Sequence, residues 1–293
     1  MKRILTSRAD AKTVFDSIGS AMRNGRKHQN ATNYVAMRND VRQQLDQYDQ
    51  RVNPISLENL MSLWPTLRTN KDEARTAYDM YSTSKNEIKQ IRAELESLNG
   101  GQIMRCPICE LEYYAHLDHY IPRELMPEFS VHPKNLIPLC NYCNTTKSTL
   151  WLSNVSRRRL IYNCAYDSPS GMMVLECRAT QILNGFPVCV VNYKRGLPAD
   201  RAISLECSTY HNLRLRPKYK AEVDKMLSTE ILRLMGEYAE NSSLYQNNLD
   251  FWNRKKSIYR SMMAIGTTVE RLFNDALCNS PVLDAWIVNS LLI

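Results

Sequence analysis

The sequence lacks any long hydrophobic run. Although 44% of its 293 residues are hydrophobic, no window of about 18 consecutive apolar residues occurs, which excludes a transmembrane helix of ordinary length. Polar residues follow Met1–Thr6 at once, so the longer apolar core of a secretory signal is missing as well. We therefore expect no membrane association and a cytoplasmic location.

Internal repeats and low-complexity tracts are also missing from the sequence. The length allows one large domain or two modest ones. The 38 basic and 30 acidic residues give a formal charge of +8, which suits a polyanionic partner but does not by itself indicate one. Any nucleic-acid function has to be argued from motifs.

Four of the nine cysteines form two C-x-x-C pairs, Cys106/Cys109 and Cys140/Cys143. In a cytosolic chain, this spacing indicates a metal site more than a disulfide framework. Four thiolates suit tetrahedral zinc and leave no position for a substrate, so the predicted site is structural. The alternatives are two reducible disulfides or free buried thiols. The other five cysteines lie mostly among apolar neighbours and are expected to be buried thiols.

The apolar spacing predicts an α+β fold in a mostly helical chain. Residues 8–98 are expected to be helical, with a break at Asn53-Pro54 and one long amphipathic helix over 70–98, capped by Asn70. A strand pair is predicted over 172–177 and 187–193, with its turn at Asn184-Gly185. Further helices are predicted near 200–213, 218–239, 244–264 and 267–278.

The segment between the two cysteine pairs carries the chemistry. It contains Leu117-Asp118-His119-Tyr120-Ile121-Pro122, then Asn135-Leu136 before the second pair, and Asn144 and Lys147 after it. In this order, these elements resemble the zinc-knuckle branch of the HNH endonuclease family. The resemblance covers about 45 of the 293 residues. The resulting organisation is a helical region over 1–100, an HNH module over 101–155 and a C-terminal region of strands and helices over 156–293.

The resemblance implies a ββα-metal fold and a role for each motif residue. His119 would be the general base, since a neutral imidazole can take a proton near pH 7. Asp118 and Asn144 would offer oxygens to Mg²⁺ or Mn²⁺, and Asn135 would pin the loop between the strands. Many family members have His where this chain has Asn144, and the amide favours Mg²⁺ or Mn²⁺ over a transition metal. Adjacent strand residues face opposite ways, so the strand must end or bulge at His119 if both residues serve one site.

DNA is the expected substrate, yet residues 101–150 contain only four bases against five acids. Phosphate contacts are therefore predicted for Lys147 and for the triplet Arg157, Arg158 and Arg159. Two further histidines lie nearby. His116 could be a second metal ligand, an orienting residue or an outward-facing strand residue, and His132 is expected on the loop surface.

A weaker resemblance concerns residues 186–220, where a strand ending in Val-Asn-Tyr leads into a helix and His211-Asn212-Leu213-Arg214-Leu215. It is similar to HNH proteins of bacterial anti-phage loci, such as Septu and retron-associated modules, and implies an ATPase partner subunit. One rival hypothesis is a non-catalytic zinc module that binds nucleic acid or a partner protein. A second is an effector that is active only within a defence complex.

Overall fold

A computed structural model describes residues 1–23, 28–52, 56–64, 71–101 and 105–291. The chain divides into two compact units, Met1–Pro169 and Ser170–Ile293. The fold is α+β, with many helices and two small two-stranded sheets, as predicted. Within the described residues, no helix has the length and apolar character needed to cross a membrane. The three-segment division of the chain stays a prediction; the HNH segment shares one unit with the preceding helices.

In the described part of the first unit, four α-helices precede a short hairpin and a fifth α-helix. Its elements are α1 (Ala11–Arg23), α2 (His28–Val52), α3 (Lys71–Thr83), α4 (Lys85–Leu98), β1 (His116–His119), β2 (Leu136–Leu139) and α5 (Asn141–Lys147). Strands β1 and β2 pair antiparallel, with His119 opposite Leu136. The loop between them contains two single-turn 3-10 helices. Two strands followed by a helix form the ββα unit that the family resemblance implies.

The predicted long helix over 70–98 is in fact two helices that meet at Ser84. The Ser84 hydroxyl donates to the carbonyls of Met80 and Tyr81, and the Ser84 backbone leaves helical geometry (φ −93°, ψ 52°). A serine side chain that bonds the preceding turn competes with the helix, which explains the interruption. Asn53-Pro54 and the predicted cap Asn70 lie outside the described residues.

Helix α4 packs directly behind the hairpin. Its buried residues Ile91 and Leu95 form one cluster with Leu117 of β1 and Leu136 of β2. The apolar stripe of the helix therefore covers one face of the hairpin. Because Leu117 points into this cluster, its strand neighbour Asp118 is directed towards the other face.

The described residues of the second unit, 170–291, form the predicted strand pair and five α-helices. Its elements are β3 (Leu175–Leu183), β4 (Phe186–Tyr193), α6 (Arg201–Asn212), α7 (Leu215–Asn241), α8 (Asn248–Met262), α9 (Thr268–Asn279) and α10 (Pro281–Ser290). The turn at Asn184-Gly185 has φ angles of 52° and 80°, the left-handed pair that a tight hairpin turn requires. The first strand starts later and runs further than predicted, and α10 was not predicted.

Helical side chains cover both outer edges of the β3–β4 pair. The Asp275 carboxylate and the Ser280 hydroxyl accept from backbone amides of β3, at Cys177 and Ala179. Asp224 accepts from the amide of Cys189 in β4. These contacts satisfy edge amides that a two-stranded sheet would otherwise leave open.

Candidate active site and metal centre

The four cysteines of the two C-x-x-C pairs lie together. Their Sγ atoms all lie within 4.8 Å of one another, and the Cys109 and Cys140 sulfurs are 3.7 Å apart. Zinc–sulfur bonds of about 2.3 Å in a tetrahedron place the sulfurs about 3.8 Å apart. All four residues are buried, and the cluster is the one group of this kind within the described residues. The donor set fits a zinc ion without further ligands.

Local backbone bonds shape both pairs. The Cys106 carbonyl accepts from the Glu110 amide at 2.8 Å, and Glu110 adopts φ 58°, which folds the first pair into a tight turn. Cys140 caps the start of α5, where its sulfur accepts from the Cys143 amide at 3.5 Å. The second pair therefore fixes the beginning of α5, and with it the position of Asn144.

Asp118, His119 and Asn144 line one cavity of about 330 Å³. Strand β1 ends at His119, and the chain turns away at Tyr120. This strand end lets two consecutive residues face the same cavity, which a continuous strand would not allow. Asn144 reaches the cavity from the first turns of α5. The three predicted motif residues are thus brought together.

His119 is held as a neutral imidazole. Its Nε2 lies 2.8 Å from the backbone carbonyl of Ser130, which can only accept, so Nε2 carries the proton. The Nδ1 lone pair is then the proton acceptor of the ring. Burial lowers the pKa of His119 to about 3, against a weaker opposing effect of the Ser130 carbonyl. Tyr81 packs edge-on against the ring, with centroids 4.5 Å apart.

Asp118 lies next to a buried ammonium group. The Nζ of Lys147 is 2.8 Å from Asp118 Oδ2 and donates to the His119 carbonyl at 2.6 Å. Burial raises the pKa of Asp118, and the Lys147 charge opposes that rise. The Lys147 side chain is fully buried, so this lysine joins α5 to the end of β1 and does not reach solvent.

Asn135 fastens the loop between the strands. Its Oδ1 accepts from the Ile121 amide at 2.8 Å, and its Nδ2 donates to the carbonyls of Ile121 and Phe129. Phe129 precedes Ser130, whose carbonyl holds His119. The amide of Asn135 therefore acts on the imidazole through the loop, without touching it.

The predicted phosphate contacts fall into two groups. Arg157 and Arg158 are exposed on a turn after α5, and neither lines the cavity. The Arg159 guanidinium is buried and pairs with Asp167 at 2.8 Å and with Glu58 at 3.3 Å. Lys147 and Arg159 are therefore already paired with carboxylates of the protein, which corrects their predicted role as phosphate contacts.

His132 is also placed differently from the prediction. It is fully buried, not on the loop surface, and its ring lies 4.2 Å from that of Tyr48. Burial lowers the pKa of His132 to about 4. His116 is exposed and lines the cavity, with its Nε2 bonded to the side-chain oxygen of Asn141.

The sequence did not predict several cavity residues, and the most informative of them are these three: Tyr81, Arg92 and Arg123. Tyr81 follows the apolar spacing of the helix predicted over 70–98, and Arg92 carries no distinguishing signal in the sequence. Arg123 directly follows the Leu117–Pro122 motif, so its position in the sequence could have identified it as a candidate cavity residue. Two of the three come from helices that precede the motif segment.

Comparisons with known proteins agree with this geometry. Residues 106–150 match the HNH endonuclease family. The chain is 34% identical over 79 residues to protein ea31 of Escherichia phage lambda, covering 27% of this chain and 21% of that protein. It is 32% identical over 65 residues to the Septu protein PtuB of Bacillus thuringiensis, covering 22% and 24%. The chain thus spans about a quarter or less of the length of these relatives. No solved structure was found to match significantly.

The matched residues include both cysteine pairs and all four predicted catalytic positions. The hairpin, the following helix and most residues that line the cavity lie in the same stretch of chain. An HNH domain is characteristic of nucleases in general. Residues 106–150 therefore carry an HNH endonuclease domain, and this domain includes the four-cysteine cluster.

Proposed function

We propose that this chain is a metal-dependent endonuclease that hydrolyses phosphodiester bonds of DNA. One observation carries the proposal: Asp118, His119 and Asn144 line a single cavity beside the four-cysteine cluster. A non-catalytic zinc module would have no need to bring a neutral imidazole, a carboxylate and an amide together.

In this proposal, His119 activates the attacking water. Its buried ring is neutral, and the Nδ1 lone pair takes the proton as the water oxygen attacks phosphorus. The Ser130 carbonyl keeps the ring in the required tautomer and orientation, and Asn135 supports that carbonyl through the loop.

Asp118 and Asn144 are the proposed ligands of Mg²⁺ or Mn²⁺. Their side chains supply a carboxylate and an amide oxygen, which are donors that hard cations prefer. Such a cation would supply neutralisation of phosphate charge and of the leaving 3′-oxygen. Lys147 keeps the Asp118 carboxylate in place from the protein side. By family resemblance, the products would carry 5′-phosphate and 3′-hydroxyl groups.

We further propose a role in anti-phage or restriction-type defence, together with an ATPase partner subunit. The Septu protein PtuB is one of the relatives, although the aligned part is 24% of that protein. Co-purification from the native host tests the partner, and phage plating on cells that carry or lack the gene tests the role. No change in plating efficiency for a broad set of phages would contradict the defence role and leave the chemistry standing.

The proposed activity is tested with a plasmid assay. Purified protein is incubated with supercoiled DNA in Mg²⁺ or Mn²⁺, and the wild type is compared with His119→Ala. We expect nicked or linear product from the wild type and a loss of about 10²–10⁴-fold in the variant. His211→Ala, on an exposed position of α6, is the matched control and should cut normally. Equal cutting by His119→Ala would exclude the role given to this histidine.

A further inference from the structure

The positive charges near the cavity differ in whether a carboxylate already neutralises them. Lys147 and Arg159 are each within 3 Å of a carboxylate oxygen and are buried. Arg92 and Arg123 line the cavity, and within the described part of the chain neither lies within 4 Å of a carboxylate. These two guanidinium groups therefore remain available for an anion.

Arg123 is held in a defined orientation. Its guanidinium carbon lies 4.0 Å from the centre of the Tyr78 ring and 5.6 Å from that of Tyr81. Contacts of its Nη1 with Tyr78 O and Ser82 Oγ are long, at 3.5 and 3.4 Å. Stacking on an aromatic face restricts the side chain and leaves edge N–H groups to bind an oxyanion.

Arg92 reaches the same cavity from α4. Its Nη2 donates to the Ala115 carbonyl at 3.1 Å, and its guanidinium carbon lies 5.4 Å from the Tyr114 ring. One bond to a neutral carbonyl fixes the group without cancelling its charge. Arg92 and Arg123 are therefore both ordered before any ligand arrives, which lowers the entropic cost of binding.

Apart from Arg92 and Arg123, the charged groups at the cavity are two carboxylates and one ammonium group. Asp118 and Glu124 are its lining carboxylates, and Lys147 lies against Asp118. Glu124 is exposed and accepts from the Tyr78 hydroxyl at 3.3 Å. Arg92, Arg123 and Lys147 thus outnumber the two carboxylates, which favours an anionic ligand that carries one charge per group, as a phosphodiester does.

We propose that Arg92 and Arg123 form a subsite that binds the nucleic-acid backbone beside the cleaved phosphate. This inference rests on the proposed function. It also assigns a task to the helices before the HNH segment: α4 supplies Arg92, and α3 supplies the tyrosine ring that orients Arg123. Residues 106–150 alone would lack half of this subsite.

The experiment measures binding without relying on cleavage. Fluorescence anisotropy with a labelled DNA duplex and a labelled single-stranded RNA is recorded between about 50 and 200 mM salt, with Ca²⁺ in place of Mg²⁺. We compare wild type, Arg92→Gln and Arg123→Gln. Each substitution should weaken binding roughly tenfold and reduce the slope of log affinity against log salt by about one. In the plasmid assay, KM should rise more than kcat falls.

The matched control is Arg75→Gln. Arg75 lies over the same Tyr78 ring at 5.2 Å but forms a salt bridge with Asp79 and does not line the cavity. It should leave affinity and salt slope unchanged. The subsite is overturned if all three variants bind like the wild type, or if the wild type binds neither nucleic acid. Normal binding with no cleavage by the wild type would instead contradict the proposed activity and leave the subsite intact.

Discussion

The four-cysteine cluster and the cavity next to it offer opposite kinds of metal ligand. The cluster is closed: four buried sulfur donors surround one point. The cavity is open and lined by a carboxylate, an amide and a neutral imidazole. Soft, complete donor sets fix a metal permanently, whereas hard oxygen donors with open positions leave room for a substrate.

Helix α5 connects the four-cysteine cluster to the cavity. Helix α5 begins at the second cysteine pair, carries Asn144 into the cavity and ends at Lys147, which is bonded to the end of β1. A metal ion at the cluster would therefore position cavity residues through a helix of seven residues. A donor set suited to bracing the fold and a cavity suited to a substrate therefore lie at separate sites that share one short helix.

The largest expected effect comes from breaking the closed site. Replacing Cys106 and Cys143 with Ser should abolish zinc binding and unfold the HNH segment, because metal binding supplies much of the folding free energy of such short segments. We expect a stoichiometric loss of zinc by elemental analysis and a melting temperature lower by at least about 10 °C. Cys207→Ser, a thiol of α6 outside the cluster, is the control. A doubly substituted protein that melts like the wild type would contradict the bracing role.

A smaller loss of stability is expected from breaking the ion pair between Lys147 and Asp118. Lys147→Met leaves Asp118 as an uncompensated, largely buried carboxylate, which should cost about 3 kcal/mol of unfolding free energy in urea titrations. Adding Asp118→Asn should recover a large part of that loss, since the charge is then removed as well. Zinc content should stay unchanged.

An exposed pair offers the matched comparison. Lys134 and Asp49 lie 2.6 Å apart, but each side chain is about one-third exposed. Lys134→Met should therefore cost at most about 1 kcal/mol. Equal costs for the two lysine substitutions would show that the Lys147 contact does not organise the cavity.

The last predicted effect concerns the loop between β1 and β2 and depends on pH. His132 is buried, and its pKa is about 4 in the folded protein against about 6.5 in the unfolded chain. The unfolded chain binds the extra proton between these values, so folding loses stability as pH falls from about 6.5 to 4. From pH 7 to 5, wild type should lose about 2 kcal/mol more than His132→Asn. Identical losses in urea titrations would exclude His132 as the source.

The sequence predicted the parts of the site that follow from short spacing. Two C-x-x-C pairs indicate one metal site because each tight turn presents two thiolates, and their convergence needs only the hairpin between them. The turn at Asn184-Gly185 was predictable for a similar reason, since few residues adopt positive φ. The residues that form each C-x-x-C pair, and those that form the turn, lie within a few positions of one another in the sequence.

Features that depend on distant partners could not be predicted. Nothing local distinguishes Lys147, which is buried against Asp118, from a surface lysine of a helix. The role of Arg159 could not be predicted for the same reason, because its partners Glu58 and Asp167 lie in separate segments of the chain. Arg92 enters the cavity only because Ile91 and Leu95 dock α4 on the hairpin. Tertiary packing decides these roles.

A crystal soaked in Mn²⁺ tests whether two different ions occupy the cluster and the cavity. Anomalous difference maps from data collected above and below the X-ray absorption edge of zinc distinguish zinc from manganese. We expect zinc among the four sulfurs and manganese beside Asp118 and Asn144, near His119. Manganese found only at the sulfurs or only at the surface, with no density in the cavity, would contradict the assignment of two ions to two neighbouring sites.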